Sequence, residues 1–337
     1  MIKVAVVILN FNGRDLLQKF LPSIIQFSPS AKIFLADNHS SDDSVELVRK
    51  EFPSIEIISI PENRGFCGGY NYALQKIEAE YYVLLNSDVE VTTGWIEPIV
   101  ELFEKNNTIG AAQPKILSYH HKHQFEYAGA GGGFIDTLGY PFCRGRIFNV
   151  LEEDHGQFND TCPVFWASGA CLFIRSSLFH LAGGLDEDFF AHMEEIDLCW
   201  RIQTLGFTIY YQGKSTVYHV GGGTLSTSSP KKTYFNFKNG LSLILKNMNV
   251  RELVYKLPLR ILLDWIAVIK FLLQGSGKDS LAVMKAHFHF LKGFRNDLSK
   301  RKESVSKSLP FYHRSIVFDH FLLKKNKFAD LRFSNPK

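Results

Sequence analysis

The chain has 337 residues and only five cysteines. Cys67, Cys143, Cys162, Cys171 and Cys199 are odd in number and form no CxxC pair, so neither a zinc site nor a disulfide framework is indicated, and a reducing compartment is expected. An excess of charge of one sign is also missing. The 38 Lys and Arg against 34 Asp and Glu leave a net +4, too little to imply nucleic-acid binding. No run of about 18 uncharged apolar residues exists, so no spanning helix is predicted. The apolar start MIKVAVVILNFNG lacks a small-residue cleavage site after it and reads as a buried strand, not a signal peptide. No GxGxxG follows it, which argues against a dinucleotide dehydrogenase. No internal repeat is visible.

What is present is an ordinary globular composition, 45% hydrophobic and 21% charged, enough for a sizeable core. The abundant aromatics suit a Phe-rich core or sugar-stacking surfaces. Strand-like and helix-like segments alternate in the first half. Lys3–Leu9, Ala31–Ala36, Ile55–Ile60 and Tyr81–Leu85 read as strands. Arg14–Phe27, Ser41–Phe52 (capped by Ser41 or Asp42) and Gly68–Ala79 read as helices. That order predicts an α/β fold with a mainly parallel sheet. From about Gly110 the pattern breaks into short strands and Gly clusters, with a loop over 150–162. Phe165–Ile174 reads as a strand, an acidic helix runs to about Leu205, and Phe207–Tyr211 and Ser215–His219 read as two short strands. GGGTLSTSSP at 221–230 reads as a mobile loop. The domain expected is 1–240, followed by a helical, basic extension over 241–337. In Leu257–Leu273 the charges Arg260, Asp264 and Lys270 fall on one stripe of a helical wheel and the rest is apolar. Leu281–Phe294 is a second such segment. The pair fits a membrane-surface hairpin or a helical annexe packed on the main domain.

Ligands bind outside the carboxyl ends of strands in an open α/β sheet. Leu9-Asn10-Phe11-Asn12, Asp37-Asn38, Asn63-Arg64-Gly65 and Asn86-Ser87-Asp88 all lie there. Asp37 is placed to accept from a nucleotide's base or ribose. Arg64 with Gly65, Gly68 and Gly69 before a helix favours an anion. Asn86-Ser87-Asp88 fits either a turn or a carboxylate tip that holds a hard divalent cation on two phosphates. Further on, FFAHMEEIDLCWR at 189–201 sets Glu194, Glu195 and Asp197 among apolar residues, surroundings that make a carboxylate a better base.

The order VVILNFNG, ADNHSSDDS, ENRGFCGGYN, LLNSDVEV, FWASGACLFIR, FFAHMEEIDLCWR and VYHVGGG resembles family-two inverting glycosyltransferases of the GT-A fold, in particular their rhamnosyltransferase-like bacterial branch, over about residues 2–240. The resemblance implies that Leu9, Asn10, Asn12, Asp37, Asn63, Arg64, Gly65, Asn86 and Ser87 bind a nucleotide. Asp88, with Asn86 in place of a first Asp, and His219 would hold Mg or Mn. Glu195, where an Asp is more usual, would be the catalytic base. Trp166, Ser168 and Gly169 would line the sugar and acceptor pocket. Glu194, Asp197 and Arg201 would orient sugar hydroxyls, with an Asp197–Arg201 ion pair at i and i+4 as the plain alternative. The expected reaction moves a sugar from a UDP- or dTDP-sugar to a saccharide or lipid-linked saccharide in cell-envelope polysaccharide synthesis. The expected place is the cytoplasm, peripheral on the inner face of the plasma membrane if the C-terminal helices bind lipid. Competing readings are a nucleotidyltransferase, which would show a Gly-rich basic loop after the first strand, and a non-catalytic nucleotide-sugar binder or scaffold.

Overall fold

The apolar run after Met1 forms strand β1 (Ile2–Asn10), buried on both faces from Val4 to Ile8. Helix α1 (Arg14–Phe27) then buries Leu17, Phe20, Leu21 and Ile24, the i, i+3, i+4, i+7 stripe of a helix packed on a sheet. The structure is a computed structural model and describes residues 2–221, 229–301 and 309–333. The alternation continues with β2 (Lys32–Asp37), α2 (Ser44–Glu51), β3 (Glu56–Ser59), α3 (Gly65–Leu74) and β4 (Ala79–Asn86). At the start of α2, Asp42 Oδ1 accepts from the Ser44 amide at 3.2 Å. Helix α3 opens three residues before Gly68 and stops at Leu74.

The middle of the chain supplies β5 (Val89–Val91), α4 (Glu97–Lys105), β6 (Ile109–Ser118), and a small antiparallel sheet of β7 (Gly133–Ile135), β8 (Pro141–Cys143), β9 (Arg146–Ile147) and β10 (Val150–Leu151). Next come β11 (Thr161–Val164), β12 (Cys171–Arg175), α5 (Ser176–Ala182), α6 (Glu194–Thr204) and β13 (Thr208–His219). Helices α7 (Pro230–Asn247), α8 (Val250–Leu273), α9 (Gly277–Ser299) and α10 (Ile316–Phe321) complete the order.

The main sheet runs β11-β13-β6-β12-β4-β1-β2-β3, with β5 paired to β13. Strands β1, β2, β3, β4, β6 and β13 point one way, and β5, β11 and β12 the other. The fold is therefore α/β with a mixed, mainly parallel sheet. Register aligns Asn10 with Asp37 and Leu9 with Asn86, which brings the polar strand ends onto one edge.

Three expectations change. Phe165–Ile174 is a strand only from Cys171, because the preceding backbone is engaged elsewhere: Trp166 O accepts from the Gly133 amide at 3.1 Å and the Ser168 amide donates to Gln113 Oε1 at 2.9 Å. The two strands expected over 207–219 are one, β13, with a register shift between Gln212 and Thr216. A boundary at 240/241 would cut helix α7 between two buried residues, Gly240 and Leu241. Residues 309–333 also return to the body. The Tyr312 amide donates to Ile135 O and the Ile316 amide to Asp136 Oδ2, both at 2.9 Å, while the Phe328 ring lies 5.2 Å from Phe134. One of the two hydrophobic clusters accordingly runs from Ala5 through Leu245 to Leu331, and the other joins α1 and α4 to the sheet. The loop expected over 221–230 falls largely on 222–228, outside the described residues.

Candidate active site

The edge formed by β1, β2 and β3 is pre-assembled by its own amides. Asn10 Nδ2 donates to Asp37 Oδ1 at 3.2 Å and to Ser40 Oγ at 3.0 Å, while Asp37 Oδ2 accepts from the Ser40 amide at 3.2 Å. The buried Asn10 Oδ1 keeps no partner among the described residues. Asn12, at φ 52°, accepts from the Ser41 amide at 2.7 Å. Asn38, which the sequence reading left without a role, ties the next loop. Its Nδ2 donates to Asn63 Oδ1 and Gly65 O, each at 3.0 Å, and its Oδ1 accepts from the Arg64 amide at 2.9 Å. Arg64 so stands at the start of α3 with its guanidinium half-exposed and 3.1 Å from Glu62 Oε1. Gly69 lets α3 lie against β1: a Cβ there would sit 2.7 Å from Leu9 Cδ1. Leu9, Asn10, Asn12, Asp37, Asn63, Arg64 and Gly65 all belong to this edge, with Asn86 and Ser87 at the end of the adjacent β4.

Beyond β4 the chain turns, and β5 pairs with the end of β13, setting His219 opposite Val89. His219 Nε2 lies 3.1 Å from Asp88 Oδ1, and the Asn86 side-chain Nδ2 is 3.5 Å from the same ring nitrogen. On the far side, Nδ1 is 3.3 Å from Glu126 Oε2. All three charged groups are buried. Burial opposes charge on the imidazole, but Glu126 and Asp88 outweigh it and hold His219 up to about 10. Burial likewise works against the Asp88 carboxylate, yet the histidine keeps it below its usual range.

As it stands the pair is an ion pair, so a divalent cation would have to displace the proton from His219 before Asp88 and the imidazole could hold it together. A carboxylate on the other ring nitrogen is the usual device for fixing a ligating histidine. Among the described residues no group of three His, Cys, Asp or Glu side chains that could hold a metal ion is found, so here Asp88 and His219 are the two that would meet one. Glu126 is the member that sequence reasoning missed. It stands alone in an irregular stretch, and only the fold brings it to β13.

The acidic segment divides into two roles. Burial pushes Glu195 up to about 7, against the backbone amides of Glu195, Ile196, Gly169 and Met193 that face it. Glu194 is buried, and burial together with the adjacent Glu195 raises it well above the ordinary carboxyl value. Each carboxyl keeps an oxygen with no partner among the described residues. Asp197 is different. It accepts from Arg201 Nε at 2.7 Å and from Lys246 Nζ and Asn247 Nδ2 at 2.8 Å each, and is fully buried. Arg201 spends its other nitrogens on Ala182 O and Gly184 O, at 2.6 and 2.8 Å. Of the two readings left open for Asp197 and Arg201, the ion pair is the one seen, and both side chains hold α6, α7 and the 182–184 turn together.

Trp166 is buried and donates through Nε1 to Phe134 O at 2.9 Å, and Ser168 is buried with its hydroxyl on Ala128 O. Both are engaged with the 128–134 backbone rather than open to a ligand. Gly169 packs between Glu195 and Phe66, since a Cβ there would lie 3.7 Å from the Glu195 Cβ and 3.5 Å from the Phe66 ring. Ala170 O, one residue on, accepts from the Asn86 amide at 3.0 Å. Consecutive residues therefore connect the Glu195 carboxyl to the strand end that carries Asn86 and Asp88.

The turn before α6 is strained, with Phe190, His192 and Met193 at φ 59°, 67° and 76°. Non-glycine residues hold such angles only where the surroundings impose them. Here Asn239 of α7 imposes them, reaching Phe189 O, Ala191 O and His192 O through Nδ2, each at 2.8 Å.

The model of the family described as "Glycosyl transferase family 2" matches residues 5–180. This chain belongs to that family. The family 2 protein is similar to N-acetylglucosaminyl-diphospho-decaprenol L-rhamnosyltransferase of Mycobacterium tuberculosis, at 25% identity over 64% of this chain and 75% of the relative. It is also similar to the low-salt glycan biosynthesis hexosyltransferase Agl10 of Haloferax volcanii, at 24% identity over 88% of this chain and 92% of the relative. Among solved structures, the mannosyltransferase PcManGT of Pyrobaculum calidifontis, in complex with GDP-Man and Mn²⁺, shares the fold at TM-score 0.52 and 13% identity, over 88% of this chain and 83% of that one. GalNAc-T7 with UDP, GalNAc and Mn²⁺ does so at TM-score 0.54 and 17% identity, over 73% of this chain but 48% of that one. The family 2 chain is thus a glycosyltransferase with a GT-A fold.

Proposed function

We propose that the enzyme transfers a sugar, with inversion, from a UDP- or dTDP-sugar to a hydroxyl of a saccharide or lipid-linked saccharide in cell-envelope polysaccharide synthesis. The observation that supports this reading most is the short connection from Glu195 through Gly169 and Ala170 to Asn86. It sets a basic carboxylate beside the end of the strand on which the donor's diphosphate would rest.

In this reading Asp37, Asn10 and Asn12 receive the nucleoside and Arg64 meets the diphosphate at the start of α3. A divalent cation on Asp88 and His219 would neutralise charge on the leaving diphosphate. Glu195 takes the proton from the acceptor hydroxyl as its oxygen bonds to the anomeric carbon and the bond to the diphosphate breaks. Its value near 7 suits a base working close to neutral pH. Glu194, held neutral by burial, keeps an O–H to donate to a sugar hydroxyl.

Thermal shift with a panel of UDP-, GDP- and dTDP-sugars plus Mn²⁺ finds the donor, and proton NMR of the product reads its anomeric configuration. Stabilisation by a UDP- or dTDP-sugar and an inverted product are expected. Retention of configuration, or no response to any nucleotide sugar, would sink the proposal.

A further inference from the structure

The two long C-terminal helices are turned inside out. Helix α8 buries Lys256, Arg260 and Asp264 beside Leu253 and Val268. The inward charges are satisfied: Asp264 takes Arg260 Nε at 3.1 Å, the Tyr140 hydroxyl at 3.0 Å and His287 Nε2 at 3.2 Å, and the Arg260 guanidinium lies 3.4 Å from the Tyr140 ring centroid. Of the stripe seen in the sequence, Arg260 and Asp264 are therefore on the face that docks on the body, while Lys270 lies outside it. What faces outward is apolar. Leu259, Leu262, Trp265, Ile266, Ile269 and Leu273 are 43–84% exposed, and Leu281, Met284, Phe288 and Leu291 of α9 are 45–66% exposed. A water-facing helix pair does the reverse, and an apolar face of this extent marks a docking surface.

Charge selects the occupant. Residues 241–337 hold 19 Lys and Arg against 7 Asp and Glu, a net +12, whereas residues 1–240 hold 19 against 27, a net −8. Lys270, Lys278, Lys285, Lys292 and Lys324 are exposed on and beside the apolar face. A second copy docked face to face would oppose like charge with like. An anionic lipid surface is complementary on both counts, taking the apolar side chains at its headgroup boundary and the ammonium groups at its phosphates. Among the described residues no helix is long and apolar enough to cross a membrane. We propose that the outward face of α8 and α9 lies flat on an anionic membrane surface, as a peripheral attachment.

This proposal does not rest on the transfer reaction, and its test needs neither donor nor acceptor. The full chain is mixed with phosphatidylcholine vesicles, and with vesicles in which roughly a third of the lipid is phosphatidylglycerol. Co-sedimentation and tryptophan fluorescence are then read. Trp265 is 43% exposed while Trp95, Trp166 and Trp200 are at most 3% exposed, so an emission blue-shift reports this face. Binding and a blue-shift with the anionic vesicles alone are expected. The triple variant Lys270→Glu, Lys285→Glu, Lys292→Glu should weaken partition, each lysine being worth about fivefold. The exposed pair Ile266→Asp, Phe288→Asp should abolish the blue-shift. The proposal falls if neither vesicle binds, if both bind equally, or if the two variants partition as the parent does. It also falls if the parent sediments as a dimer that the Ile266→Asp, Phe288→Asp pair separates.

Discussion

Glu195→Gln should make the enzyme slower and, at alkaline pH, harder to unfold. The substitution keeps the side chain's size and removes only its charge. Turnover should fall by roughly 10²- to 10⁴-fold, the usual worth of general-base help. The stability change follows from the same burial. Glu195 rises from an ordinary 4.5 to about 7 in the folded chain, and each pH unit of that rise corresponds to about 1.4 kcal/mol. A raised carboxyl favours the folded state while protonated. That contribution is whole below pH 4.5 and is lost as pH climbs through about 7, for a total of about 3 kcal/mol. Glutamine does not ionise, so the variant escapes the loss. Glu194 is also raised well above the ordinary carboxyl value, by burial and by the adjacent Glu195, so the two titrate as a pair. Urea unfolding at pH 5 and pH 8.5 should show the variant's advantage growing towards the higher pH. The parent's kcat should climb to a plateau above about pH 7, and that limb should vanish in the variant. Turnover retained by the variant, or a stability difference that is the same at both pH values, would refute the assignment of the base and its environment together.

Three other perturbations probe the supports of the site. Glu126→Gln removes the charge that steadies His219 and should weaken Mn²⁺ binding by roughly 10- to 100-fold in calorimetry with the nucleotide present. Asn239→Ala frees the three carbonyls of the strained turn before α6 and should cost about 2–3 kcal/mol in urea unfolding. Gly69→Ala drives a methyl to 2.7 Å from Leu9 Cδ1 and should cost about 1–3 kcal/mol, visible as a lowered Tm.

The first half of the fold was legible because its strands are covered on both faces. Continuous β-branched runs such as KVAVVIL announce themselves, and the polar residue that ends each one marks the binding edge. The acidic segment stood out for the opposite reason, charge where apolar neighbours dominate. Long-range partners were not legible. Nothing near Glu126 in the chain points to His219, and Asn239 sits in an unremarkable helical stretch until the 189–192 carbonyls are brought to it. Asp197 shows the limit of spacing arguments. Its pairing with Arg201 is local and was open to view, but the Lys246 and Asn247 contacts that take it out of the substrate's reach come from a helix some 50 residues on. The stripe of Arg260 and Asp264 was visible too, but a wheel cannot say which side meets the body. That choice belongs to Tyr140 and His287.

The return of residues 309–333 to the sheet flank changes what the helical hairpin is. It is a detour that leaves the body at α7, rests on it through Arg260 and Asp264, and rejoins it at Tyr312, with its tip at the exposed Gly275–Gly277 turn. A detour of this kind can be lengthened, shortened or repainted at the tip without moving Glu195 or Asp88. An ancestor's descendants could in that way be sent to different surfaces while the same chemistry travels unaltered inside them.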